Sequence, residues 1–393
     1  MITYDFTSLP ERFSSNTIKW KAVQKDQEIL PLWIADMDFP IFPEMSEAIE
    51  DFSHQMVFGY DSPKDSLYQA ISNWEVQEHG YQFDKKSLLL IDGVVPAISV
   101  AIQAFTKEGD AVLINTPVYP PFARTIKYNN RHLVSNSLLN NNQYFEIDFK
   151  QLEKDIIENN VKLYIFCSPH NPGGRVWTKG EIQKIGDICK RYNVILVSDE
   201  IHQDLVLFDN VHHSFNTVDS SFKELSVILS SATKTFNIAG TKNSFAIIEN
   251  EKLRSDFKKR QIANNQQEIS SLGLLATEVA FTKDFTKEKQ WLKALKMELE
   301  GSIEYLYEQL TQKTHIKVMK PEGTYLVWLD FSAYNLTHLE IQEKLRYDAK
   351  LILNDGLTFG KEGKKHARIN VAAPRSVIEE AVLRLVTNFR KND

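Results

Sequence analysis

Residues 226–242 read SVILSSATKTFNIAGTK. A run of Val, Ile and Leu without polar alternation is a strand buried on both faces. It ends at Ser230-Ser231, and Lys234 follows at once among small and apolar residues, with Lys242 further on. A lysine in such surroundings has a lowered pKa and can attack a carbonyl as a nucleophile. The stretch therefore reads as the end of a buried strand and the start of a site.

The same pattern recurs on both sides. Apolar runs end at Asp92 (SLLLID), Asn115 (AVLIN), Phe166 (VKLYIF) and Asp199 (NVILVSD), and SFAII occupies 244–248. Between them lie segments of helical period, such as Ile182, Ile185 and Cys189. Strand, crossover and strand repeated this way predict an α/β large domain with a mostly parallel sheet covered by helices. The last third differs. Leu292, Leu295, Leu299, Ile303, Leu306 and Leu310 predict one long core-packed helix starting near Lys287. YLVWLDF (325–331), a helix from about Leu336 and a last helix through Ile378, Ala381, Val382, Leu385 and Phe389 complete a smaller α+β C-terminal domain. The first 45 residues have weak periodicity and should wrap as an arm rather than form a core. The expected division is 1–45 (arm and part of the small domain), 46–285 (large domain) and 286–393 (small domain).

Composition removes several classes. Among 393 residues, 46 Lys+Arg against 52 Asp+Glu give a formal net charge of −6. Nucleic acids and anionic membranes call for a basic face, so neither is an expected partner. Cys167 and Cys189 are the two cysteines, too few for a disulfide framework and suited to a reducing compartment. With no basic-then-apolar leader and no apolar run near the roughly 20 residues of a membrane span, the expectation is a cytoplasmic protein. No HExxH, CxxC, EF-hand, GxSxG or phosphate-loop motif occurs, so no metal site is expected. His212 and His213 are expected to be surface or loop histidines.

Ligands in such sheets bind beyond the carboxyl ends of the strands. Five ends carry unusual residues. Gly93-Val94-Val95-Pro96-Ala97 opens a helix whose free N–H groups suit an anion. Thr116-Pro117-Val118-Tyr119-Pro120-Pro121 holds one tyrosine on a stiff loop. Cys167 to Gly174 fixes Asn171 in a turn. Asp199-Glu200-Ile201-His202 puts two acids at a buried strand end, where each must find a partner or solvent; a structural ion pair would account for one. The fifth is the lysine segment. Together they supply an amine for a Schiff base, an acid for a pyridinium nitrogen, a ring to stack, an amide for a phenolate and an anion pocket. Pyridoxal 5'-phosphate (PLP) requires that set.

With these residues in place, the chain resembles the fold-type I PLP enzymes, the aspartate-aminotransferase-like group. LPLWIADMDFP (30–40), FGY (58–60), IDGVVPAIS (91–99), PVYPPF (117–122), SPHNPGGRVW (168–177), SDEIHQDL (198–205), ATKTFNIAG (232–240), PEGTYLVWLDF (321–331) and RINVAAPRS (368–376) are similar to the cystathionine β-lyase subfamily that includes the maltose-regulon modulator. The resemblance covers nearly the whole chain and implies a seven-stranded large-domain sheet. It also implies that Lys234 binds the cofactor and moves the Cα proton, and that Asp199 pairs with the pyridine nitrogen. Tyr119 would stack on the ring, and Asn171 and His202 would serve the phenolate side. Val94, Val95, Ser231 and Lys242 would hold the phosphate. Tyr60 would reach the phosphate of a neighbouring subunit, which implies a homodimer with shared sites. Arg368 would grip the substrate carboxylate, with Asn171 and the backbone at Ala35. Two positions depart from the pattern: Lys242 stands where many members have arginine, and Thr233 where serine is frequent.

The implied activity is that of a carbon–sulfur lyase. It performs α,β-elimination on L-cystathionine or a related cysteine S-conjugate, giving a thiol, pyruvate and ammonia. An aminotransferase would use the same constellation, and a regulatory PLP-binding protein is a third alternative.

Overall fold

The computed structural model describes residues 4–282 and 285–391, so the ends of the expected division at 1–3, 283–284 and 392–393 lie outside the described residues. The apolar runs form strands because both of their faces are covered. These are β1 (Leu88–Ile91), β2 (Ala111–Thr116), β4 (Leu163–Cys167), β5 (Ile195–Asp199), β6 (Ser226–Ser230) and β7 (Ser244–Ile247). β3 (His132–Ser137) was not legible as a strand. It lies at the sheet edge and mixes polar with apolar residues, so it lacks the continuous apolar run of its neighbours.

The seven strands are ordered β1-β7-β6-β5-β4-β2-β3. β2, β3, β4, β5 and β6 run parallel. β7 is antiparallel to both β6 and β1, which leaves β1 parallel to the rest. The carboxyl ends of β1, β2, β4, β5 and β6 therefore open on the same edge. Four helices matter for the site. They are α1 (Asp65–His79), α2 (Val94–Phe105), α3 (Pro121–Tyr128) and the single turn α5 (Ala232–Thr235), with α4 (Lys179–Tyr192) covering the sheet.

A second, antiparallel sheet of four strands comes from the C-terminal third. It contains β8 (Lys317–Met319), β9 (Leu326–Asp330), β10 (Asn354–Asp355) and β11 (His366–Asn370), ordered β8-β9-β11-β10. Long helix α6 (Phe285–Lys313) packs with α7 (Arg375–Asn388). The expected stripe is all buried: Leu292, Leu295, Leu299, Ile303, Leu306 and Leu310.

The N-terminal segment does wrap, and Leu30–Pro31 pairs in parallel with Leu351–Ile352. It also contributes to the core, which corrects the expectation that it would form none. Phe6, Met37, Phe39 and Phe42 are buried, and the Phe42 ring meets Phe236 at 5.4 Å. Irregular aromatic spacing hid this, because an extended strap buries side chains without a helical or strand period. Asn370 Nδ2 then fixes the strap by donating to the carbonyls of Ile34 at 2.7 Å and Asp36 at 2.6 Å.

Leu299 is fully buried on α6. Leu299→Ala should cost about 2–5 kcal/mol of stability, read as a lower midpoint in urea denaturation. An unchanged midpoint would mean that the stripe does not carry that core.

Candidate active site

The carboxyl edge of the large sheet opens on a cavity of about 590 Å³. At one end, Gly93 caps α2 with extended backbone and offers no side chain to accept from the first turn. Val94 and Val95 line the cavity there, and so does Lys242. Uncapped first-turn N–H groups and the positive end of the helix dipole favour an anion. Asp92 lines the same end, and burial raises its carboxyl while Lys242 opposes that.

The middle of the cavity comes from three further strand ends. The Tyr119 N–H donates to the Asn171 carbonyl at 3.1 Å, so the loops after β2 and β4 brace each other. Asn171 heads a turn closed by Gly174 N–H to His170 O at 2.7 Å. Gly174 has φ +67°, and a Cβ there would lie 2.2 Å from Pro321 Cβ, so the turn requires glycine. Asp199 ends β5 and accepts from the Ile201 N–H at 3.1 Å. Burial pushes its carboxyl up to about 7, against the pull of that bond and of Lys234. His202 is pushed down to about 3 by burial and by the cations of Lys234 and Arg368, so its imidazole is neutral at ordinary pH.

Lys234 sits on α5, whose first turn is capped by Ser231 Oγ accepting from the Thr233 N–H at 3.1 Å. Its Nζ donates to the Ala35 carbonyl at 2.5 Å. Burial lowers the amine to about 8, with Asp36 and Asp199 opposing and Arg368 reinforcing the shift. A sizeable fraction is then neutral near pH 7.5, which an exposed lysine never offers. Arg368 reaches this group through Asn171: its Nη1 donates to Asn171 Oδ1 at 2.8 Å. Nη2 donates to the Trp33 carbonyl at 2.9 Å and to Asn354 Oδ1. Nε is buried with no hydrogen-bond partner among the described residues.

Ala35, Val94, Val95, Tyr119, Asn171, Asp199, His202, Lys234 and Lys242 thus share one cavity, with Arg368 bonded to its wall. Two expected residues are elsewhere. Ser231 points inward, its hydroxyl donating to the Asn243 carbonyl at 2.6 Å. Tyr60 is fully exposed and lines a separate groove of about 770 Å³ with Gly59, Asp61 and residues 267–272. His212 also differs from expectation: it is buried, and its Nε2 meets Glu200 Oε2 at 3.2 Å. The physical reason is Glu200 itself, a buried acid that cannot go unpaired. Among the described residues, no three His, Cys, Asp or Glu are placed to hold a metal ion.

Several contributors were not read from the sequence. Asn354 stands directly beside Arg368 in the β10–β11 register, so only the antiparallel pairing of LILND with HARIN would have found it. The Tyr325 hydroxyl donates to the Ala35 carbonyl at 3.1 Å, sharing the acceptor that holds Lys234. Arg124 lines the cavity without any motif to mark it, and Asp92, read only as a strand end within IDGVVPAIS, lines it too.

Comparison with known proteins gives this geometry a family. Over 97% of its length the chain is 34% identical to cystathionine beta-lyase PatB of Bacillus subtilis, covering 98% of that protein. Among solved structures it matches cystalysin from Treponema denticola, which contains a pyridoxal 5'-phosphate cofactor. That match has a TM-score of 0.94 and 35% identity, covering 98% of this chain and 99% of the other. The PLP-bound C-S lyase of Staphylococcus hominis matches with a TM-score of 0.90 and 29% identity over 99% of each chain. The family model for aminotransferase class I and II matches residues 27–385, and this chain, with the fold-type I architecture, belongs to that family.

Proposed function

We propose that this protein is a PLP-dependent carbon–sulfur β-lyase, acting on L-cystathionine or related cysteine S-conjugates to give a thiol, pyruvate and ammonia. The observation that carries the PLP reading is the joint placement of a lysine lowered to about 8 and an acid raised to about 7 in one cavity. Full-length similarity to a cystathionine beta-lyase and to C-S lyases favours elimination over amino transfer.

The residues present fit the cofactor. Asp199 lines the cavity with the Ile201 N–H as its hydrogen-bond donor, so a protonated pyridine nitrogen would give the buried carboxyl an ionic partner. The uncapped turn at Val94 and Val95, with Lys242, would receive the phosphate. Ser231 acts at one remove, by capping the lysine turn. Tyr119 would cover the ring. Asn171 has already accepted from Arg368 through Oδ1, so its Nδ2 is left to donate to the phenolate oxygen. Neutral His202 adds no charge on that side.

Bound PLP supplies an electron sink for the charge left when the substrate Cα–H is removed. Lys234 anchors the cofactor and, once released, takes the Cα proton as general base. Asp199, ionised against the ring nitrogen, keeps that nitrogen protonated. Arg368 binds the substrate carboxylate, and its Nε–H remains available as a donor. The departing thiolate is a good leaving group, so the chain need not protonate it.

Three further readings belong here. A homodimer in which Tyr60 reaches the partner's phosphate is supported by the exposed run Met56, Val57, Phe58 and Tyr60. A cytoplasmic setting is supported by two buried free thiols, Cys167 and Cys189. The divisions at 45 and 285 are consistent with one sheet drawn from 88–247 and the other from 317–370.

Purified protein given L-cystathionine without any keto acid should release pyruvate and thiol one for one. Amino transfer dependent on an added keto acid, with no pyruvate, would make it an aminotransferase. Lys234→Ala should abolish turnover and the visible absorption band of bound PLP; wild-type turnover in that variant removes the scheme. Asp199→Ala should still bind PLP at Lys234 but lose about 10²–10³-fold in kcat, and an unchanged kcat would refute its role. PLP capture by the apo-protein needs the neutral Lys234 amine. Its rate should therefore climb about tenfold per pH unit below about 8 and level off above. A rate still climbing tenfold per unit through pH 9 would contradict the lowered amine.

A further inference from the structure

Behind the wall of the cavity, a buried carboxylate with no part in the chemistry above joins three elements. Asp204 is 3% exposed. Its Oδ1 accepts from Trp74 Nε1 at 2.9 Å and lies 2.8 Å from His79 Nε2, both on α1. Its Oδ2 accepts from Thr235 Oγ1 at 2.6 Å. Thr235 is the residue after Lys234, on the same single turn. Asp204 also belongs to the turn that carries His202, closed by Gln203 N–H to Glu200 O at 2.8 Å and Leu205 N–H to His202 O at 2.9 Å.

We infer that Asp204 is a positioning residue for Lys234: through Thr235 it fixes the lysine turn against α1 and against the turn that presents His202. This rests on the reading of Lys234 as the reactive amine. A four-residue turn has almost no hydrogen-bonded length with which to hold its own direction. Ser231 caps its start, and the Lys234 side chain is held by the Ala35 carbonyl. That second hold is lost whenever the amine reacts, because the nitrogen must leave the carbonyl. The bond from Thr235 to Asp204 involves neither Nζ nor the cavity, so it persists through turnover. The acceptor is well suited to the task. His79, Thr235 and Trp74 hold the Asp204 carboxyl below its usual range despite burial, so it is an ionised acceptor whose bonds are charge-assisted. An Oγ–H donated to a buried carboxylate also leaves a costly orphan if it is removed.

The test uses the PLP-loaded protein with L-cystathionine, and first locates the cofactor by borohydride reduction and peptide mass. PLP found on a residue other than Lys234 overturns the lysine reading and this inference with it. With PLP on Lys234, Thr235→Val keeps the shape and removes the bond. The expected result is a fall in kcat of about ten- to a hundredfold, with KM changed less than about threefold and far-UV circular dichroism retained. The apo-protein should also take up PLP more slowly by a similar factor. Thr235→Ser, which restores the hydroxyl, should return kcat and uptake to within about threefold of the parent. Should Thr235→Val not fold, Thr235→Ala removes the same bond and is read by the same criteria. An unchanged kcat and uptake rate in the folded, Lys234-linked variant overturns the inference alone, as does a loss that Thr235→Ser fails to restore.

Discussion

The bond from Lys234 Nζ to the Ala35 carbonyl joins positions 199 residues apart in the chain. It is where the large sheet, the N-terminal strap and the small sheet meet. The lysine comes from the end of β6, and the carbonyl from a strap that Asn370 of β11 holds on both sides of Ala35. Arg368, on the same strand, donates to the Trp33 carbonyl of that strap. Asn237, just past the lysine turn, accepts from the Met37 N–H at 2.9 Å and donates to the Met37 carbonyl at 3.1 Å. Displace the strap and the cavity loses a wall, the lysine loses its acceptor and Arg368 loses one of its anchors. The strap therefore had to be bonded to both sheets, which explains why it also buries aromatic side chains.

Burial in this cavity favours the uncharged form of each central group. Lys234 is lowered, Asp199 raised and His202 lowered, each chiefly by desolvation. Such a site is held ready for a ligand that brings its own charges. An anion at the uncapped helix, a cation at Asp199 and a carboxylate at Arg368 would each find an opposite charge or a free donor. Without a ligand, Lys234 and Asp199 offset only part of each other's burial. That imbalance is stored in the fold, held by strands whose buried faces leave no freedom to relax.

The large sheet and most of the site were legible because buried parallel strands are continuous apolar runs and their ends stand out by contrast. Lys234, Asp199, Asn171 and Tyr119 were found that way, each as a polar residue just beyond such a run. What escaped lacked that contrast. β3 is an edge strand of mixed polarity, and Asn354 acquires its meaning only from the register that sets it beside Arg368. Ser231 was expected to hold the phosphate, but its hydroxyl turns to the Asn243 carbonyl twelve residues later, a direction the sequence does not give. His212 was misjudged because its partner, Glu200, belongs to a motif whose other acid faces the cavity.

That pair of acids shows how one strand end serves both chemistry and structure. Successive residues at the end of a strand point to opposite sides. Asp199 turns to the cavity, has few donors and is raised by burial. Glu200 turns away and gathers Ser198 Oγ at 2.7 Å, the Phe215 N–H at 3.0 Å and His212, which together hold it below its usual range in spite of complete burial. Identical charge and nearly identical burial thus give opposite shifts, and the donor count decides which acid is which. Exchanging the two environments would fix the cavity acid as a satisfied carboxylate, with no deficit left for a ring nitrogen to fill. The polar residues from Ser198 to Phe215 that look remote from the reaction are therefore what frees Asp199 to take part in it.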